Sequence, residues 1–328
     1  MSLELPAVRP QRISSRGRGT ALILVSSVCF GSSGTIAKPA MLAGFSPEQV
    51  AAARIGLAAV VLVVAAALFR PRLLRVRRAE WPVVLGYGML GVAGVQLCYF
   101  VAVGRLPVGI AILLEFTSPV LIALWTRFVR GVRLSRVMWL GIGLAMLGLA
   151  LVAEVWEGLS LDAVGLLAGL GGALCSAAYF LLGEHGAATR DPLGLVLWGM
   201  VVGAVVVCAV SPPWRLSGLD AVTDFGPWHP PVWLLLVAVA LLSTMFAYGL
   251  GTSALRYLPA AVASVLGLLE PVIATASAWA LLGEALSWVQ LAGAVVLLGG
   301  AALVQYVHSR QSGQAQPAVG QESPASAP

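Results

Sequence analysis

Four ionisable residues stand inside long apolar runs of the chain: Lys38, Arg54, Glu115 and Glu270. On insertion scales a basic side chain or Asp at the centre of a bilayer costs roughly 2.5–3.5 kcal/mol, and Glu is taken as similar. Four uncompensated charges would then cost about as much as the whole stability of an ordinary domain. They must pair, take up protons or face a wet cavity. At the rise of an α-helix, Lys38 lies about 5 Å, Arg54 about 8 Å, Glu115 about 11 Å and Glu270 about 16 Å from the nearest span end, so Glu270 is close to the midplane. Lys38 has snorkelling to the interface as an alternative use, and Arg54 has structural pairing with Glu115 or with backbone carbonyls. A carboxylate is too short to snorkel far. Glu115 and Glu270 are therefore candidates for proton exchange or for holding a substrate ammonium. The two cations are candidates for holding a substrate carboxylate or for tuning the carboxylate pKa values by charge. A zwitterion suits a cavity carrying both signs.

The neighbours of the carboxylates add to this. Pro119 has no N–H to bond the carbonyl of Glu115, and Ser118, three residues on, shares that helix face. Pro271 likewise frees the carbonyl of Gly267 beside Glu270. Each of these segments combines a carboxylate with a helix irregularity at depth, as broken-helix carriers do at substrate or ion sites. Tyr179 could supply a polar edge and a stacking face, with core packing as its other use.

The elements that must position these groups are membrane helices. Of 328 residues, 59% are hydrophobic and only 10% charged, with a mean hydropathy of +0.93. Soluble domains carry about 25% charged residues, so a water-soluble fold is excluded. The apolar residues gather in runs of about 20, the length that crosses the hydrocarbon as helix. Ten spans are expected, near 20–41, 49–69, 81–103, 108–127, 136–153, 161–183, 192–211, 231–254, 259–281 and 286–307. Strict alternation is missing, which argues against a barrel. The cavity is expected mainly between spans one, two, four, six and nine.

The net charge of +6 is an orientation signal and calls for no nucleic-acid partner. With the N-terminus cytoplasmic, sixteen arginines, including Arg70, Arg72, Arg75, Arg77 and Arg78, fall on the inner side and only Arg105 and Arg215 on the outer side. This predicts a multi-pass protein of the cell inner (plasma) membrane, both termini cytoplasmic, with anionic lipid contact as a secondary use of the basic loops. Trp81, Trp139, Trp156, Trp233 and Trp288 near span ends fit an interfacial belt. The first span is too long for a signal peptide, and further spans follow it. Cys29, Cys98, Cys175 and Cys208 all fall within spans and suggest neither a disulfide framework nor a metal site. Residues 1–19 and 308–328, rich in Arg, Ser, Gln, Pro and Ala, are expected to be cytoplasmic tails, the second disordered.

The sequence also repeats itself. One constant offset pairs Leu106-Pro107 with Leu258-Pro259, Pro119 with Pro271, Gly131 with Gly283, Leu134-Ser135 with Leu286-Ser287, Gly141 with Gly293 and Gly148 with Gly300. Spans one and six match more weakly around Cys29 and Cys175. Two repeats follow, 20–153 and 161–307, each of five spans. An odd number of spans makes the second repeat enter from the opposite side, giving an inverted pair. Such pairs let a central site face each side in turn. The offset places Glu115 opposite Gly267 and Glu270 opposite Ser118, so the carboxylates have different roles.

Other motifs carry less. Gly86, Gly88 and Gly91 spell G-x-G-x-x-G, but inside a span, where close helix packing is the better reading. No Walker A sequence is present, and the three histidines form no cluster. Nothing points to an enzyme or to a cofactor, and a proton gradient is the candidate driving force.

With these residues in view, the chain resembles the drug/metabolite transporter superfamily, and within it the EamA-type ten-helix members. The carriers of the resemblance are the stretch from Leu258 to Glu270-Pro271 and the segment Leu281-Leu-Gly-Glu284. Gly109-Ile-Ala-Ile-Leu-Leu-Glu115-Phe-Thr-Ser118-Pro119 is similar to the Leu-Glu-Phe-Thr-Gly-Pro segment of threonine/homoserine exporters, with Ser118 in place of Gly. Ile36-Ala-Lys38 and Ala53-Arg54-Ile-Gly-Leu-Ala also resemble segments of that subgroup. The resemblance implies an all-α membrane bundle that exports amino acids or similar small polar metabolites, with proton linkage. Export of drugs, import of other cargo and a non-transporting scaffold or sensor are the alternatives. The oligomeric state, monomer or dimer, is left open.

Overall fold

The computed structural model describes residues 13–156, 162–213, 216, 218–283 and 285–314, with backbone alone at 13–16 and 311–314. The described residues form ten apolar helices: α1 Ile13–Leu42, α2 Pro47–Phe69, α3 Arg78–Val103, α4 Val108–Phe128, α5 Arg136–Val152, α6 Ala163–Thr189, α7 Pro192–Val210, α8 Val232–Ala254, α9 Ala260–Leu282 and α10 Trp288–Gln314. Among the described residues nine helices reach 18 residues or more, and α5 with 17 is at the short end of what spans a bilayer. α1 begins before residue 19 and α10 runs on to 314, so both enter stretches expected to be tails. Residues 1–12 and 315–328, with Arg9, Arg12, Glu157, Arg215 and Glu284, lie outside the described residues.

Local chemistry sets the starts. Ser46 and Gln49 form a capping box ahead of Pro47 on α2, and Asp162 and Asp191 cap α6 and α7 through the amides of Gly165 and Leu193. Among the described residues, extended pairing is confined to two isolated bridges, Val222 with Pro231 and Phe225 with Trp228, in the α7–α8 connection.

The two halves, α1–α5 and α6–α10, interlock reciprocally. The first helix of each half packs on the third and fourth of the other, α1 on α8 and α9, α6 on α3 and α4, while α2 meets α7 and α5 meets α10. The α5–α10 seam makes the inversion explicit. A Cβ at Gly141 would stand 3.1 Å from the carbonyl of Gly300, and one at Gly148 would stand 2.7 Å from that of Gly293. Gly141 and Gly293 are repeat equivalents, as are Gly148 and Gly300, so each position of one half meets the other's equivalent. This is the self-complementary contact of a two-fold pair. α5 ends at Val152 and α6 starts at Ala163 on the face opposite the start of α1 and the end of α10.

The third helix of each half carries a π segment, Tyr87–Gly94 in α3 and Leu241–Phe246 in α8, at overlapping repeat positions. The fourth helix of each half is broken at equivalent residues: Val108–Glu115 is followed by Ser118–Phe128, and Ala260–Gly267 by Leu269–Leu282. Both breaks sit ahead of the proline that withholds an amide. Gly86, Gly88 and Gly91 are packing positions, as expected: a Cβ at Gly88 would lie 2.8 Å from the Gly199 carbonyl, and one at Gly91 would lie 3.0 Å from Tyr179 Cα.

Candidate functional site

The broken ends of α4 and α9 meet at the centre of the bundle, between two adjoining chambers. The wider, of about 360 Å³, is lined by Met41, Pro47, Val103 and Val108. These residues are helix ends on the face opposite the termini, so the chamber reaches that face. The narrower, of about 110 Å³, extends the other way, past Ser118, Ser176, Tyr179, Tyr248 and Ser264. Arg54, Glu115 and Glu270 line both chambers and stand where they join.

Five of the six residues singled out by their chemistry come together here: Arg54, Glu115, Ser118, Tyr179 and Glu270. Lys38 does not. It is exposed near the end of α1 and lines neither chamber, while Ala37, one residue earlier, lines the wide one. Pro119 is buried just after the α4 break, and Pro271 lines the wide chamber.

The three charges face one another without closing. Described ion pairs are Arg105–Asp162, Arg130–Glu184, Arg190–Glu80 and His229–Asp224, none of which involves Arg54, Glu115 or Glu270. Arg54 nevertheless lies within electrostatic reach of both carboxylates, and its Nε is buried with no hydrogen-bond partner. Gly172 on α6 faces Glu115: a Cβ there would meet the Glu115 Cγ in ordinary contact at 3.7 Å. Gly31 lets α1 approach the Glu270 carbonyl. Opposite charges held apart across a cavity make a site with a place for each end of a zwitterion.

Aromatic side chains form the wall of the narrow chamber. Tyr179 packs edge-on against Phe180, with centroids 4.9 Å apart, and against Tyr248 at 5.5 Å, while Phe30 meets Tyr248 at 4.9 Å. Tyr179 is thus packed among these rings and also lines the chamber.

α3 and α8 also contribute, through Gln96 and Tyr248, which the sequence reading left out of the cavity. Gln96 and Tyr248 are equivalent under the same repeat offset as the proline pair, so the two halves bring matching positions to the cavity. The Tyr248 hydroxyl donates to the Gly91 carbonyl at 3.4 Å, inside the α3 π segment. A π turn leaves such carbonyls available and recurs at functional sites.

The bundle is closed at the face where α1 starts and α10 ends. Ile23, Leu255, Leu258 and Val262 pack in one buried cluster below the narrow chamber. Beyond them Glu184 on α6 pairs with Arg130 at 2.6 Å and accepts from the amide of Ala260 at the start of α9, at 3.3 Å. Nearby, Arg190 binds the Glu80 carboxylate at 3.2 Å and the carbonyls of Leu73 and Arg75. Burial lowers its pKa, and the charges of Glu80 and Asp191 oppose that shift.

Comparison with known proteins agrees with this architecture. The chain is 31% identical over 273 residues to the threonine/homoserine exporter RhtA of Salmonella typhimurium strain SL1344, covering 82% of this chain and 84% of that one. It is 31% identical over 245 residues to the threonine/homoserine exporter RhtA of Escherichia coli K12, covering 74% and 76%. A probable amino-acid metabolite efflux pump of Salmonella typhimurium strain LT2 is 30% identical over 240 residues, covering 70% and 79%. A solved crystal structure superposes with a TM-score of 0.71 at 21% identity, over 92% of this chain and 99% of that one, which shows the fold. The EamA-like transporter family matches twice, at residues 17–153 and 163–306. With one match on each half, the chain is a membrane transporter, not an enzyme, and belongs to the EamA-like transporter family.

Proposed function

We propose that this protein exports small amino acids across the plasma membrane by alternating access, in exchange for protons. The observation that carries the reading is the set Arg54, Glu115 and Glu270, drawn from both halves, lining one cavity without pairing among themselves. Arg54 takes the substrate carboxylate, and a glutamate takes the ammonium. The similarity to threonine/homoserine exporters and to a probable amino-acid metabolite efflux pump supports the amino-acid cargo.

The positive-inside bias puts the closed, terminal face in the cytoplasm and the wide chamber outside, so the structure corresponds to an outward-open state. A carboxylate away from water needs a counter-charge, which either a proton or a substrate ammonium supplies. On the outer side a proton displaces the ammonium and substrate leaves. After the halves rock, the proton leaves to the cytoplasm and substrate binds again. An acidic exterior therefore drives export and an alkaline one slows it.

The test uses proteoliposomes preloaded with radiolabelled threonine under an imposed pH gradient. Wild type should show efflux that rises as the exterior is acidified, and Glu115→Gln should lose the gradient dependence. Wild-type flux that ignores the gradient would remove the proton from the mechanism. Absence of threonine and homoserine flux at every gradient would remove the amino-acid cargo.

A further inference from the structure

The hydroxyls around the narrow chamber are not equivalent. Ser26 donates to the Ala247 carbonyl at 2.7 Å, Ser27 to that of Ile23 at 3.0 Å and Ser264 to that of Ala261 at 3.3 Å. Their protons are committed to backbone, so they turn acceptor lone pairs toward the chamber. Ser176 on α6 donates to Ser118 on α4 at 3.0 Å. Ser118 accepts that bond, and among the described residues its own proton goes to no protein atom. Its side chain is nevertheless almost fully buried, at 2% exposure. A buried donor left without an acceptor is costly, and a ligand oxygen would remove the cost.

Position adds a second argument. Ser118 begins the helical segment after the α4 break and is the repeat equivalent of Glu270, just after the break in α9. The two halves therefore present different groups at one depth, a hydroxyl and a carboxylate. Glu115 is one turn back on the α4 side of the same chamber. A zwitterion held by Arg54 and a glutamate would direct its side chain into the narrow space beside Ser118.

We propose that Ser118, held in place by Ser176, is the specificity-determining residue of the site: its free proton goes to an oxygen on the substrate side chain. This deepens the amino-acid export reading and rests on it. Ser26, Ser27 and Ser264 accept in return, so a side-chain hydroxyl is satisfied as donor and acceptor together. An apolar side chain of the same shape leaves Ser118 unpaired.

Threonine and valine are nearly isosteric and isolate the effect. In proteoliposomes, kcat/KM would be measured for both with wild type, Ser118→Ala and Ser176→Ala. Wild type should favour threonine, and Ser118→Ala should lower the threonine-to-valine ratio about two- to tenfold, the value of one neutral hydrogen bond. Ser176→Ala should lower it by less, because Ser118 remains but is no longer fixed. A purely structural role would reduce both fluxes together and leave the ratio unchanged, which overturns the proposal. If Ser118→Ala fails to fold, an unchanged ratio in Ser176→Ala is equally decisive. Should wild type carry neither amino acid, the export reading fails first and takes this one with it. Transport of both at wild-type ratios in the variants sinks the Ser118 role alone.

Discussion

Replacing Gly148 by Ala tests the inverted architecture at its tightest point. A Cβ on Gly148 would stand nearest to the Leu297 backbone nitrogen, and 2.7 Å from both the Gly293 carbonyl oxygen and Leu297 Cα, where ordinary contact begins at 3.4 Å. The obstructing atoms are backbone, so no side chain can rotate away and α5 and α10 must separate by about 1 Å, within the range where overpacking costs about 1–3 kcal/mol. Alanine recovers up to about 1 kcal/mol of helix preference, leaving a net loss of about 1–2 kcal/mol. Gly143 is in the same helix with nothing within 4 Å of its would-be Cβ. Gly143→Ala should therefore gain about 0.5–1 kcal/mol, and the two variants should differ by about 2 kcal/mol, or roughly thirtyfold in the folded-to-unfolded ratio. Unfolding by SDS in mixed micelles, followed by tryptophan fluorescence, reads this directly. The Gly148→Ala/Gly293→Ala double variant should lose less than the sum, because either methyl alone opens the same seam. Equal midpoints for Gly143→Ala and Gly148→Ala would refute the reasoning.

Three more outcomes follow from the closed face and the buried polar contacts. Glu184→Gln keeps an acceptor for the Ala260 amide but removes the charge opposite Arg130. Because the two side chains are 38% and 22% exposed, the loss should be at most about 1 kcal/mol, or up to about fivefold more opening at the terminal face. Labelling of a cysteine placed at Ser27, in a background lacking the four native cysteines, measures that opening, and an unchanged rate would show that the apolar cluster alone holds the face shut. Thr252→Val preserves shape but leaves the buried Tyr87 hydroxyl, 2.7 Å from Thr252 Oγ1, without this partner, and should cost about 0.5–1.5 kcal/mol in the same SDS assay. Arg190→Lys cannot reproduce a fork shared among a carboxylate and two carbonyls, and should loosen the 70–80 loop, seen as faster amide exchange there; exchange matching wild type would show that the charge alone suffices.

The pieces that were legible in the sequence share one property: backbone chemistry leaves a mark that does not depend on which way a helix faces. Span length counts the helices, and Pro119 and Pro271 mark the two breaks. The constant offset pairs the seam glycines. Helix rotation leaves no such mark, because lipid tails and protein interior are equally apolar. That is why Lys38 and Ala37 could not be told apart: one step along a helix turns about 100°, enough to move from a chamber wall to the outside. The π segments were hidden for a related reason, since an i→i+5 turn has no composition of its own and Tyr87–Gly94 reads simply as a glycine-rich span. Without them nothing in the sequence brings α3 and α8 to the cavity. The repeat ties Gln96 to Tyr248, but neither position carries a mark in the sequence that turns it toward the cavity.

One polypeptide carries both halves, yet their register and the angle between them are set by the seam of α5 against α10 and by the crossed packing of α1 and α6. In assembly terms, the molecule is a two-subunit complex whose subunits share one polypeptide.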